Sequence, residues 1–347
     1  MHASDPTTSA TPERSAPIAL VGNLNVDQWV QTVERFPAWD EEIVVDSSQI
    51  ALAGTAGYLL LACRGLGLDG FVVSTIGDDP FGAFLEGELA RLGADASGVE
   101  VLPDEQTCLG IIFVGPGGER SILTTLGAHA HMSVAVAQRH DERISICAEV
   151  FLCGAYVMPQ FGPADLLTYA QSLRARGQLV AFDPSWDPGG WGEQTQRETL
   201  ALLPTVDVYL PNDTELMHLT GTSTWEAALV AVSGLAGETV LKRGPDGAVY
   251  ARGAERIAVP GFPVDAVNTV GAGDVFDAAY LYARRKEWPP EDRLRFACAL
   301  AAMIVSQPGT RVYPDAVAVE RFMRSHSTPG LDEPQAQEGA HADLLHA

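Results

Sequence analysis

Short, uninterrupted apolar runs recur along this chain, separated by longer mixed segments. Pro17–Gly22, Gly70–Ile76, Val150–Cys153, Leu179–Phe182, Val206–Leu210 and Thr239–Lys242 are of strand length and apolar at nearly every position. Such runs predict strands covered on both faces. Between them, stretches such as Phe81–Leu92 and Ala164–Arg176 are of helix length. Buried strands spaced by helices predict an α/β fold, a three-layer sandwich around a mostly parallel sheet. Two segments break the rhythm. Cys108–Val114 and Ser121–Thr125 flank Gly115–Pro116–Gly117–Gly118, a hairpin signature, and Ile43–Leu52 reads as extended. Together they predict a small accessory β-sheet, a lid drawn from segments 27–53 and 107–126. Residues 1–16 and 327–347 are small and polar with little to bury, so they read as disordered tails around a folded domain over 17–326.

Charge narrows the range of partners. The formal net charge is -23, from 45 acidic and 22 basic residues, and the only lysines are Lys242 and Lys286. An acidic chain without a basic run repels a phosphate backbone, which excludes nucleic acid as an expected partner. No stretch reaches the roughly 20 apolar residues of a membrane span, and Met1–Ala16 lacks the apolar run of a signal peptide. Five cysteines without a C-x-x-C spacing, three of them in apolar segments, suit a reducing compartment. The expectation is a cytoplasmic protein. His129-x-His131 lies in an expected loop and reads as surface rather than as a metal site.

The segment with the most chemistry is Val267–Ala283, VNTVGAGDVFDAAYLYA. Gly271, Ala272 and Gly273 carry almost no side chain, so a ligand can approach their backbone. The apolar positions Val275, Phe276, Ala279, Tyr280 and Ala283 that follow predict a helix. A glycine turn at a helix N-terminus presents free amide groups, a site suited to a phosphate. Asp274 falls in the first turn of that helix. An acid there complements the helix dipole with no further role. Beside an anion hole, it also suits a general base acting on an alcohol next to a transferring phosphate.

This segment resembles the C-terminal signature D-T-x-G-A-G-D of the ribokinase-like (PfkB-type) carbohydrate kinase family. The resemblance implies Asp274 as catalytic base and Gly271, Ala272 and Gly273 as the turn that stabilises the transferring phosphoryl group. Asn268 stands where the family has an Asp that helps bind a monovalent cation, so such a cation would meet a neutral oxygen here. Further likenesses follow in family order. Asn25 and Asp27 in GNLNVD match substrate-hydroxyl contacts, and Gly77–Gly82 matches a structural turn. Asn212 and Glu215 match an N-x-x-E pair that helps place Mg²⁺ and the phosphates. Lys242, Gly244 and Gly247 match a strand-to-turn segment that approaches the nucleotide, and Phe296–Gly309 resembles the helix and loop flanking the adenine. The likeness spans about residues 17–322.

At the N-terminal signature, G-G-x-x-x-N-x-A in the family, this chain has Ala53–Gly54–Thr55–Ala56–Gly57–Tyr58. Gly54 is kept, and Tyr58 replaces the Asn that touches the sugar. Its ring can stack on a base or a sugar face, or pack in the core. The resemblance thus implies an ATP- and Mg²⁺-dependent transfer of a phosphoryl group to a CH₂OH of a sugar-like substrate, with the lid closing over it and pairing two subunits in a homodimer. A nucleoside kinase and a non-catalytic sugar- or nucleotide-binding regulator are the alternatives. Gly65–Gly70 fits G-x-G-x-x-G, but it follows a helix and precedes a strand, the reverse of a dinucleotide fingerprint.

Overall fold

The computed structural model describes residues 16–31, 33–116, 120–307 and 312–326. The expected tails, apart from Ala16, lie outside these residues, as do the tip of the expected hairpin and the end of Phe296–Gly309. Among the described residues, thirteen strands form two sheets. They are β1 (Ile18–Val21), β2 (Asn25–Gln31), β3 (Ser47–Ala53), β4 (Gly70–Gly77), β5 (Asp95–Leu102), β6 (Leu109–Val114), β7 (Arg120–Thr125), β8 (Glu149–Cys153), β9 (Leu179–Asp183), β10 (Val208–Tyr209), β11 (Glu238–Lys242), β12 (Ala248–Arg252) and β13 (Glu255–Val259).

The larger sheet runs β13-β12-β11-β10-β9-β8-β1-β4-β5. Pairing is parallel from β11 through to β5, and antiparallel only for β11–β12 and β12–β13. Alternation along the strands divides the interior into two layers. Ile18, Leu20, Val72 and Val240 face the helices Thr55–Gly65, Ala272–Arg285 and Pro290–Val305. Ala19, Val21, Val73 and Leu241 face the helices Pro163–Ala175 and Asp213–Thr220 on the other side. This is the expected three-layer sandwich.

The smaller sheet runs β3-β2-β6-β7 and is the expected lid. It springs from the body where β1 ends, because the turn Gly22–Leu24 leads straight into β2. Strand positions on its outer face line up in one register row, Ile50–Gln28–Ile111–Leu123. Leu123 is 63% and Ile50 44% exposed there. Asp27 belongs to the opposite, inward face, and Trp29 and Ile112 on that face are buried.

Details correct the sequence reading. His129, expected at the surface, is fully buried, with Nε2 at 3.0 Å from the Leu24 carbonyl. Burial holds that imidazole down at about 4; His131 alone is exposed. All five cysteines are free and buried. The turn Gly77–Gly82 is structural as expected: Asp79 caps the helix Pro80–Leu92 by accepting from the Gly82 amide at 2.8 Å, and also accepts from Thr107. Among the described residues no helix is long and apolar enough to cross a membrane, and no cluster of three His, Cys, Asp or Glu side chains is arranged for a metal ion.

Candidate active site

The candidate residues gather where the parallel strands end. β9 ends on Asp183, β11 ends on Lys242, and Asn212 opens the helix Asp213–Thr220 that follows β10. Ligand clefts of open α/β sheets form outside these carboxyl ends. Asn25 and Asp27 enter from the lid strand β2.

The helix Ala272–Arg285 begins as the glycine turn predicts. Gly271 at its N-cap has φ 72°, a left-handed conformation that costs glycine little, and no side chain caps the helix. A Cβ on Gly271 would come within 2.7 Å of the Tyr58 ring, so this position must stay bare. The first-turn amides of an uncapped helix have no acceptor within the helix, and the positive end of the dipole adds to their pull on an anion. Asp274 lies in that first turn and remains partly accessible. Desolvation, joined by the nearby charge of Asp183, pushes its carboxyl up to about 7; Lys242 and the Thr55 hydroxyl act in the opposite sense. A carboxyl poised there can take a proton from an alcohol near neutral pH.

Beneath the turn sits a buried ion cluster. Lys242 Nζ donates to Asp183 Oδ2 at 2.9 Å and to both Asp277 oxygens at 3.0 Å. Burial alone would lower the lysine, but the two carboxyls outweigh it and hold the ammonium above its ordinary value. Asp183 and Asp277 thus face one shared ammonium. Burial raises Asp277 far above the usual carboxylate range. A Cβ on Gly273 would sit 3.5 Å from Lys242 Nζ, so the cluster supports the turn from below. Lys242, expected beside the nucleotide, thus spends its charge on the protein. Gly244 and Gly247 lie on the turn between β11 and β12.

Asn212 and Glu215 form a reciprocal capping box. Glu215 N donates to Asn212 Oδ1 at 2.8 Å, and Asn212 N donates to Glu215 Oε2 at 2.9 Å. Burial, reinforced by Asp183, lifts Glu215 to about 8. At the other wall, Asp27 accepts from Asn25 Nδ2 at 2.8 Å and from the Tyr58 hydroxyl at 2.9 Å. Its carboxyl is held at about 6 by burial, against those two hydrogen bonds. Gly54, with φ 81°, lets the chain pass close to Asn25, whose Oδ1 would lie 2.6 Å from a Cβ there. Asn268 Oδ1 accepts from the Val270 amide at 3.0 Å. From the lid, Arg120 donates to Thr269 Oγ1 in the loop before the glycine turn.

Thr55, Asp183, Asp277 and the Arg120–Thr269 contact are additions to the residues expected from sequence. One signal did point to Asp277. An acid among Val275, Phe276, Ala278, Ala279 and Tyr280 on an otherwise apolar helix needs a buried cation, and one of only two lysines ends a buried strand.

The sequence profile described as pfkB family carbohydrate kinase matches residues 16–316. The chain is 29% identical to the ATP-dependent ribose-1-phosphate kinase of Halopiger xanaduensis over 312 residues, 88% of this chain and 97% of that protein. Among solved structures, Arabidopsis thaliana ribokinase complexed with ribose and ATP superposes with a TM-score of 0.72 at 26% identity, covering 89% of this chain and 99% of that one. Ribokinase II from E. coli, in complex with ATP and Mg²⁺, superposes at 0.76 with 23% identity, covering 90% and 100%, a likeness of fold.

Proposed function

The chain belongs to the pfkB family of carbohydrate kinases, and from that membership we propose that it moves the γ-phosphoryl group of ATP to a CH₂OH of a sugar or sugar derivative, with Asp274 as general base. One observation carries this reading. A carboxyl held at about 7 stands in the first turn of a helix that has no side-chain cap and opens on bare glycine backbone. Phosphoryl transfer asks little covalent work of a protein, and positioning and charge stabilisation do most of it. In this proposal Asp274 takes the hydroxyl proton, and the Gly271, Ala272 and Gly273 backbone meets the charge on the transferring group. The Gly244–Gly247 turn borders the nucleotide.

The residues present suit Mg²⁺ as well. Asn212 and Glu215 offer hard oxygen donors, and the buried Glu215 carboxyl would ionise readily beside a cation. Mg²⁺ bound near them would neutralise phosphate charge. Lys242 acts from beneath, by holding β9, β11 and the helix of Asp274 in register.

Tyr58 supports a sugar over a nucleoside. Its ring is buried and its hydroxyl engaged, so it offers no open face for a base to stack on. The intact base and glycine turn speak against a purely regulatory protein. A coupled ADP-release assay with Mg·ATP against neutral sugars, sugar phosphates, sugar acids and nucleosides tests the proposal. Turnover of a sugar-class compound supports it, and binding without turnover across the whole panel sinks it.

The Asn268 oxygen is neutral and already accepts from the Val270 amide, so turnover should be equal in sodium and potassium buffers, and a steep rise on adding potassium would contradict this. Ile50, Ile111 and Leu123, apolar around Gln28 on the outer lid face, support a homodimer through the lid. Sedimentation velocity should show a dimer for the wild type and a monomer for Leu123→Glu; a wild-type monomer at assay concentrations would rule the lid interface out.

A further inference from the structure

Tyr58 stands between the lid strand and the glycine turn with both ends of its side chain committed. Its hydroxyl donates to Asp27 Oδ2 at 2.9 Å. Its ring lies so close to Gly271 that a Cβ there would meet three ring carbons at 2.7 to 2.9 Å. The other oxygen of Asp27, Oδ1, accepts from Asn25 Nδ2 at 2.8 Å, and a Cβ on Gly110 would lie 2.6 Å from it. Asn25 Nδ2 also reaches the Val26 carbonyl at 3.3 Å.

A buried carboxylate accepts hydrogen bonds, whether from a ligand hydroxyl or from the protein. Here the protein itself supplies that donor. We propose that Tyr58 sets the acceptor specificity by filling, with its own hydroxyl, the place on Asp27 that a hydroxyl of the acceptor would take, so that this enzyme serves sugars lacking or masking a hydroxyl at that end. The inference rests on the kinase reading and adds the class of acceptor. An acceptor that carries the hydroxyl must expel the phenol from a charge-assisted bond. An acceptor without it forfeits nothing. Gly271 blocks the ring from swinging toward the glycine turn, which keeps the phenol in place.

Tyr58→Phe keeps the ring on Gly271 and deletes only the hydroxyl; Tyr58→Met empties the same place should the phenylalanine variant be unstable. The readout is kcat/KM, or Kd by titration calorimetry where turnover is slow, for D-ribose and its monodeoxy analogues. The wild type should use at least one deoxy analogue as well as ribose or better. In the variant, ribose should gain on that analogue by about tenfold or more, the value of a hydrogen bond to a charged group. Ratios unchanged for every pair would overturn the proposal. So would an absence of binding and turnover with every pentose in both proteins. That second outcome leaves the kinase reading standing or falling separately, on ADP release with phosphorylated and acidic acceptors.

Discussion

Asp274→Asn should fold as the wild type does and lose about 10²–10⁴-fold in kcat, the usual contribution of a general base. The substitution keeps the shape of the side chain and its capacity to accept from Thr55, while removing the group that takes the proton. It also removes a carboxyl that its surroundings desolvate, so stability should not fall. The wild type carries a second signature in its pH profile. Burial and Asp183 hold Asp274 at about 7. The base acts only when ionised, so kcat/KM should be full above that value and fall as pH drops through it. That acid limb reports the free enzyme. It should vanish from the residual activity of Asp274→Asn. A variant that keeps more than half of wild-type turnover would remove Asp274 from the role.

Lys242→Met should be the most damaging change to stability. It leaves Asp183 and Asp277 buried with no cation between them, and breaking a buried ion pair by removing one partner costs about 3–5 kcal/mol. The loss should appear in urea unfolding as a lower midpoint at unchanged slope. Asp277→Asn is the informative control. Lys242 Nζ donates to both Asp277 oxygens, so an amide at 277 removes one charge and turns an N–H donor toward the ammonium. It should cost about 1.5–3 kcal/mol, the worth of a hydrogen bond to a charged group, and so less than Lys242→Met. Equal unfolding midpoints for Lys242→Met and the wild type would contradict the role given to the cluster.

The body of the fold was readable because its strands are buried on both faces. Five of the six apolar runs became strands over nearly their whole length. The sixth, Val206–Leu210, pairs only over Val208–Tyr209, where Pro211 closes the run. Strand β5, DASGVEVL, escaped notice because an edge strand with one partner tolerates polar residues that break any periodic pattern. His129 was misread because a histidine in a loop-like segment gives no sign of a carbonyl waiting inside the protein. The glycine turn and Asp274 are contiguous in sequence, so a motif exposed them. Asp183, Lys242 and Asp277 come from three separate elements, and Tyr58 meets Asp27 across the junction of body and lid. Such pairings exist only once the chain has folded.

The proposed reaction is phosphoryl transfer to an acceptor hydroxyl, assisted by Asp274. Phosphorus-31 NMR of reactions containing Mg·ATP and the acceptor found by the ADP-release panel follows that transfer atom by atom. With the wild type, the γ-phosphate resonance should decay while a phosphomonoester resonance grows in equal amount, and both changes should be nearly absent with Asp274→Asn. Decay of the γ-phosphate into inorganic phosphate alone, or the same phosphomonoester at the same rate from Asp274→Asn, would contradict the account.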